Sequence, residues 1–90
     1  NGKTASYRNG RRLEVARYKD GKLHGTRELY FDSGRDIGKI QRTIDYKNGV
    51  IHGKMRYYNS DGKVTLEYTY ENGERVGGGM KENRTKEDGQ

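Results

Sequence analysis

Tyr18-Lys19-Asp20-Gly21-Lys22-Leu23-His24-Gly25, Tyr46-Lys47-Asn48-Gly49-Val50-Ile51-His52-Gly53 and Tyr70-Glu71-Asn72-Gly73-Glu74-Arg75-Val76-Gly77 repeat one pattern. Each is a tyrosine with a glycine three residues on and a second glycine four further on. A second turn follows nine residues after the closing glycine of the first two segments, at Asp32-Ser33-Gly34 and Ser60-Asp61-Gly62. An incomplete earlier copy reads Tyr7-Arg8-Asn9-Gly10. Tyr46 to Tyr70 spans 24 residues and Tyr18 to Tyr46 spans 28, which places a four-residue insertion near Asp36-Ile37-Gly38-Lys39. Recurrence at this period marks a chain built of stacked supersecondary units.

Asn-Gly and Asp-Gly are the strongest local hairpin signals, because the two-residue turns that match strand twist need positive φ, which Asn and Gly tolerate cheaply. Asn9-Gly10, Asp20-Gly21, Asn48-Gly49, Asp61-Gly62 and Asn72-Gly73 all qualify, with Ser33-Gly34 a weaker sixth. Between the turns the period is two. Val64, Leu66, Tyr68 and Tyr70 alternate with Lys63, Thr65, Glu67 and Thr69, and Ile40, Arg42 and Ile44 alternate with Lys39, Gln41, Thr43 and Asp45. Both segments read as strands. In the first copy Leu13 and Val15 fall on the opposite parity to Ala16 and Tyr18, so a bulge or a frayed edge is expected there.

Two strands and two turns per unit, stacked in order, predict an all-β fold: a single-layer antiparallel β-meander of tandem hairpins, an open sheet free to curve. Leu23, Gly25, Arg27 and Leu29 should align with Ile51, Gly53, Met55 and Tyr57 on one face, and His24, Thr26, Glu28 and Tyr30 with His52, Lys54, Arg56 and Tyr58 on the other. Neither face is purely apolar, so ladders of Tyr, aliphatics and the stems of Arg and Lys must supply much of the packing. The repeat domain is expected over residues 7–77. Residues 1–6 read as a disordered or partial N-terminal end, and residues 78–90 as a flexible C-terminal tail.

Composition taken alone argues differently. Leu, Ile, Val and Phe number 13 of 90 residues, below the roughly 20% at which a charged chain is usually called disordered. Regular spacing of the eight Tyr and fourteen Gly outweighs that signal, since disorder has no need of a period. There is no Cys, which removes disulfides, thiolate chemistry and the common structural zinc sets. The formal net charge of +6 favours acidic partners.

The tyrosine and glycine spacing resembles that of the MORN repeat family, and most closely its bacterial antitoxin-type variant. The resemblance covers about residues 7–77 and rests on Tyr18, Gly21 and Gly25, on Tyr46, Gly49 and Gly53, and on Tyr70, Gly73 and Gly77, with Tyr30, Gly34, Tyr58 and Gly62 at the second turn. It implies a non-catalytic protein-interaction or scaffolding module, an antitoxin or immunity-type binder among them, and it also implies binding of anionic lipid.

No catalytic constellation is legible. Glu14, Glu28 and Glu67 have no partner at acid-base spacing, and no Gly-x-Ser-x-Gly elbow or phosphate-cradling loop occurs. His24 and His52 occupy equivalent repeat positions. Equivalent positions lie two strands apart, about 10 Å, whereas ligands of one zinc sit about 2 Å from the ion, so the pair does not share a metal. The expectation is therefore no enzyme, no cofactor, no metal and no small-molecule substrate. A protein partner is expected, with the exposed ladder Arg27, Tyr30, Arg56, Tyr57 and Tyr58 as contact residues. Tyr interleaved with Arg also suits an alternative, anionic membrane lipid or nucleic acid, and open sheet edges suit a homodimer.

Overall fold

The computed structural model describes residues 2–80. Its strands are β1 (Gly2–Arg8), β2 (Arg11–Lys19), β3 (Lys22–Leu23), β4 (Gly25–Tyr30), β5 (Ile40–Lys47), β6 (Val50–Tyr58), β7 (Val64–Glu71) and β8 (Glu74–Met80). They form one antiparallel sheet in the order β1-β2-β4-β5-β6-β7-β8, with the two-residue β3 pairing β2 ahead of β4. The sheet does not close, so β1 and β8 are its two edges. Cα extents of 48 × 34 × 13 Å are those of a single layer.

Turn chemistry builds the meander. Asn9, Asp20, Asn48 and Asn72 hold φ of 50° to 52°, and the glycine after each lies at 78° to 89°. Two consecutive positive-φ residues define the type I′ turn. Asp61-Gly62, expected to behave alike, does not: only Gly62 is left-handed, and its N–H closes on the Asn59 carbonyl at 2.9 Å. The Asn59 side chain takes over by accepting from the N–H groups of Asp61 and Lys63, an Asx arrangement that replaces the tight turn. The insertion folds into the loop between β4 and β5, closed by Phe31 N–H to the Lys39 carbonyl at 2.9 Å and Gly38 N–H to the Phe31 carbonyl at 3.0 Å.

These connections sort into two rims. The loop 31–39 and the Asn59–Gly62 turn share one rim, where Ser60 Oγ donates to Asp36 at 2.8 Å and Lys39 Nζ donates to the Ser60 carbonyl at 3.0 Å. The turns at Asp20-Gly21, Asn48-Gly49 and Asn72-Gly73 share the other. There Gly49 N–H donates to the Leu23 carbonyl and Gly73 N–H to the Ile51 carbonyl. The repeat histidines bind in the same place: Nδ1 of His24 accepts from Asn48 N–H at 3.4 Å, and Nδ1 of His52 accepts from Asn72 N–H at 3.1 Å. Each histidine thus ties its own unit to the turn of the next.

Burial is what one layer permits. Val15, Ala16, Thr43 and Ile44 are the buried residues among those described, at 2% to 7% exposure. They are adjacent pairs on β2 and β5, so one residue of each pair points to each face and both faces are covered by neighbouring side chains. Leu13 is the extra residue of a bulge, since Ser6 pairs with Glu14 while Tyr7 pairs with Arg12. The parity break between Val15 and Ala16 lies outside this bulge: Ala5 pairs with Val15 and Thr4 with Ala16 in regular register, so the two apolar residues cover opposite faces.

The ends differ from expectation. Residues 2–6, read as a loose end, pair with Tyr18 through Glu14 as part of β1, and Gly78–Met80, read as the start of a tail, pair with Tyr68 through Leu66 as part of β8. Type I′ turns fold both segments back, and ladder hydrogen bonds need no apolar side chains, so exposed and glycine-rich sequence still forms an edge. Asn1 and residues 81–90 lie outside the described residues.

Candidate functional site

Residues directly opposite one another in an antiparallel pair share a face, so the register fixes what each face displays. One face carries the row Glu14, Leu29, Arg42, Tyr57, Leu66, Met80 and beside it the row Arg27, Ile44, Met55, Tyr68. Tyr46 and Tyr70 extend it toward the histidine rim, opposite Gly25 and Gly53. This is the tyrosine face. The other carries Ala5, Val15, Glu28, Thr43, Arg56 and Glu67 in one row, with Arg17, Thr26, Asp45, Lys54 and Thr69 nearby. This is the ionic face.

Charges on the ionic face are largely spent on each other. Arg56 Nε donates to Glu67 at 2.6 Å, and Arg17 lies 3.5 Å from Glu28. Asp45 accepts from the Thr26 hydroxyl at 2.9 Å and from Lys54 N–H at 3.1 Å, while Lys54 Nζ donates to Thr69 at 3.0 Å. Gly53 makes room for this carboxylate: with φ at 122°, a Cβ there would meet Asp45 at 2.8 to 2.9 Å. Tyr30 donates to Glu28 at 2.7 Å, and its phenol is pushed above its ordinary pKa, first by burial and then by that hydrogen bond.

On the tyrosine face one ion pair, Arg27 with Glu14 at 2.5 Å, is set among aromatic rings. Hydrogen bonding to Glu14 raises the Arg27 pKa, against partial desolvation that lowers it. Arg42 and Arg75 have no carboxylate partner among the described residues. Their guanidinium carbons lie 5.9 Å from the Tyr57 ring centre and 4.8 Å from that of Tyr68, within cation–π range. Arg42 Nη1 also donates to the Tyr57 hydroxyl at 3.4 Å, whereas its Nε is buried without a hydrogen-bond partner. Tyr46, Tyr57, Tyr68 and Tyr70 are all half-buried, lying along the sheet with solvent-facing area left over.

The five residues expected to form one exposed ladder are divided by the sheet. Arg27 and Tyr57 lie on the tyrosine face; Tyr30, Arg56 and Tyr58 lie on the ionic face, where the Tyr58 hydroxyl is 3.5 Å from that of Thr43. Arg27 and Arg56 therefore lie on opposite faces, and each already holds a carboxylate. Sequence reasoning missed Arg42, Tyr68 and Arg75. The alternation through Arg42, Ile44 and Tyr46 was the available signal for the first of them; the bulge that sets Arg75 opposite Tyr70 gives no signal in the sequence.

Both histidines are engaged by backbone N–H groups on a rim, and no group of three His, Asp or Glu converges to hold a metal among the described residues. Comparison of the chain with family models, with curated proteins and with solved structures gives no match.

Proposed function

We propose that the chain is a non-catalytic protein-interaction module of MORN-like repeats, and that its tyrosine face receives an acidic region of a protein partner. One observation carries this reading: Arg42 and Arg75 are stacked on Tyr57 and Tyr68 with no carboxylate partner among the described residues, on a face of half-buried tyrosines and aliphatics. Tyr and Arg are the side chains that most often dominate interfaces, and stacking holds the guanidinium in place before a partner arrives. A scaffold role and an antitoxin-type role both fit within this reading. The test is titration of a crosslink-captured partner. Arg75→Glu should weaken binding about tenfold, as removal of an interfacial charge contact does, and Lys54→Glu on the ionic face should leave affinity within about twofold. Equal losses from both variants, or loss from Lys54→Glu alone, would move the contact surface and refute the assignment.

A second reading rests on the same stacked pairs. Alternating Tyr and Arg on a sheet is also how single-stranded nucleic acid is held, and the net charge of +6 suits either that or an anionic lipid surface. Salt separates the readings, because phosphate binding weakens steeply and uniformly with ionic strength. Flotation with anionic and with neutral vesicles isolates the lipid version.

A further inference from the structure

At the N-terminal end of the sheet the ionic face holds a cavity of about 310 Å³ over β1, β2 and β4. Its floor is apolar, Ala5 beside Val15, and Val15 is only 4% exposed. Its walls are Lys3, Tyr7, Arg12 and Arg17. Glu28 is the single carboxylate in the lining, and it is already satisfied by Arg17 at 3.5 Å and by the Tyr30 hydroxyl at 2.7 Å. Lys3 and Arg12 have no carboxylate partner among the described residues. Two unmatched positive charges thus overlook a small apolar floor.

Arg12 is also held in place. Its guanidinium lies 5.8 Å from the Tyr30 ring centre, and the neighbouring Tyr30 and Tyr7 raise its pKa above the ordinary value. A bulge at Leu13 brings this about, because it turns Arg12 to the position opposite Tyr7 instead of leaving it one residue out of phase.

We propose that this cavity is a binding site for a small phosphate monoester with an apolar body. A dianionic phosphate matches the two unmatched cations, guanidinium offers it a planar donor fork, and lysine adds a mobile point charge. Ala5, Val15 and the Tyr7 ring take the organic part, which inorganic phosphate lacks. The ligand is bound here and not turned over, and the site is on the opposite face from the protein-contact surface, so the two assignments stand or fall separately.

Phenyl phosphate is the probe, titrated into the full chain at fixed ionic strength and followed by chemical-shift changes of the Ala5 and Val15 methyls. Saturable shifts are expected, with affinity about tenfold above that for inorganic phosphate, the gain that burial of a ring of this size gives. Lys3→Gln and Arg12→Gln should each weaken binding about tenfold, the loss typical of one charge-assisted contact. Lys3 is exposed on an edge strand, so its variant tests the site even where Arg12→Gln perturbs the bulge. Arg75→Gln, on the tyrosine face, should leave binding unchanged. Shifts that never saturate, equal affinity for phenyl phosphate and inorganic phosphate, or binding lost in Arg75→Gln but kept in Lys3→Gln would each overturn the proposal.

Discussion

The two faces of this sheet are held by different physics. On the ionic face the carboxylates Glu28, Asp45 and Glu67 each meet a cation, a hydroxyl or a backbone N–H, so removing one member strands another half-buried group. On the tyrosine face Arg42 and Arg75 lie within cation–π range of tyrosine rings, and removing one leaves a tyrosine that is still packed. A single layer has no interior in which to hide such differences. Away from the cavity over β1, β2 and β4 the ionic face is committed to folding, and the tyrosine face has groups to spare for a partner.

The most severe way to break that contrast is at Gly53. Its φ of 122° and the 2.8 Å approach of Asp45 predict a loss of about 3 kcal/mol for Gly53→Ala by urea unfolding, from backbone strain plus displacement of a hydrogen-bonded carboxylate. Gly25→Ala is the matched control. Its φ is 102°, but a Cβ would meet only the flexible Arg17 side chain at 3.5 Å, and about 1 kcal/mol is expected from strain. A double-mutant cycle with Asp45→Ala should show strong coupling for Gly53 and none for Gly25; similar costs at both glycines would show that conformation alone sets the effect.

Charge reversal sharpens the comparison directly. Arg56→Glu faces Glu67 in place of its partner and should cost about 2 kcal/mol, whereas Arg75→Glu should cost at most about 0.5 kcal/mol, since it leaves no buried ion behind. Equal costs would erase the distinction between the faces. The rim supplies a smaller effect. His52→Ala should lose about 1 kcal/mol, the worth of one hydrogen bond, and His24→Ala less, because its contact is the longer at 3.4 Å against 3.1 Å.

The smallest effect is alkaline. Tyr30 has a folded pKa above its ordinary 10.0, so the protonated phenol and its bond to Glu28 contribute stability below about pH 10 that is lost as pH rises through the folded value. Tyr30→Phe should therefore show a shallower fall in thermal midpoint between about pH 9 and about pH 11 than the parent chain. Identical slopes would mean that Tyr30 ionises without consequence for the fold.

Much of the architecture was legible because glycine punctuation and two-residue alternation are local signals. Four of the five Asn-Gly or Asp-Gly pairs adopt the expected turn, and the strands around Ile44 and Leu66 fall where alternation puts them. Face membership was legible only between irregularities. From Thr69 to Tyr70 on β7 the chain advances one residue, while β8 moves two from Gly77 to Arg75, which puts Arg75 on the opposite face from Gly77, and no propensity in the sequence announces that slip. The ion pairs within the expected contact ladder were not legible for a related reason: Arg27 and Arg56 look free in the sequence, and their carboxylates, Glu14 and Glu67, are 13 and 11 residues away. Pairing across strands decides which charges are available, and that depends on register.

The borders of the sheet carry a consequence for association. β1 and β8 are unlike strands, one bearing Lys3 and Arg8, the other Glu74 and a run of three glycines from Gly77 to Gly79. Copies that join like border to like border are related by a rotation and stop at two. Copies that join unlike borders are related by a step that repeats, and unless that step closes into a ring they grow into a ribbon that lengthens with concentration.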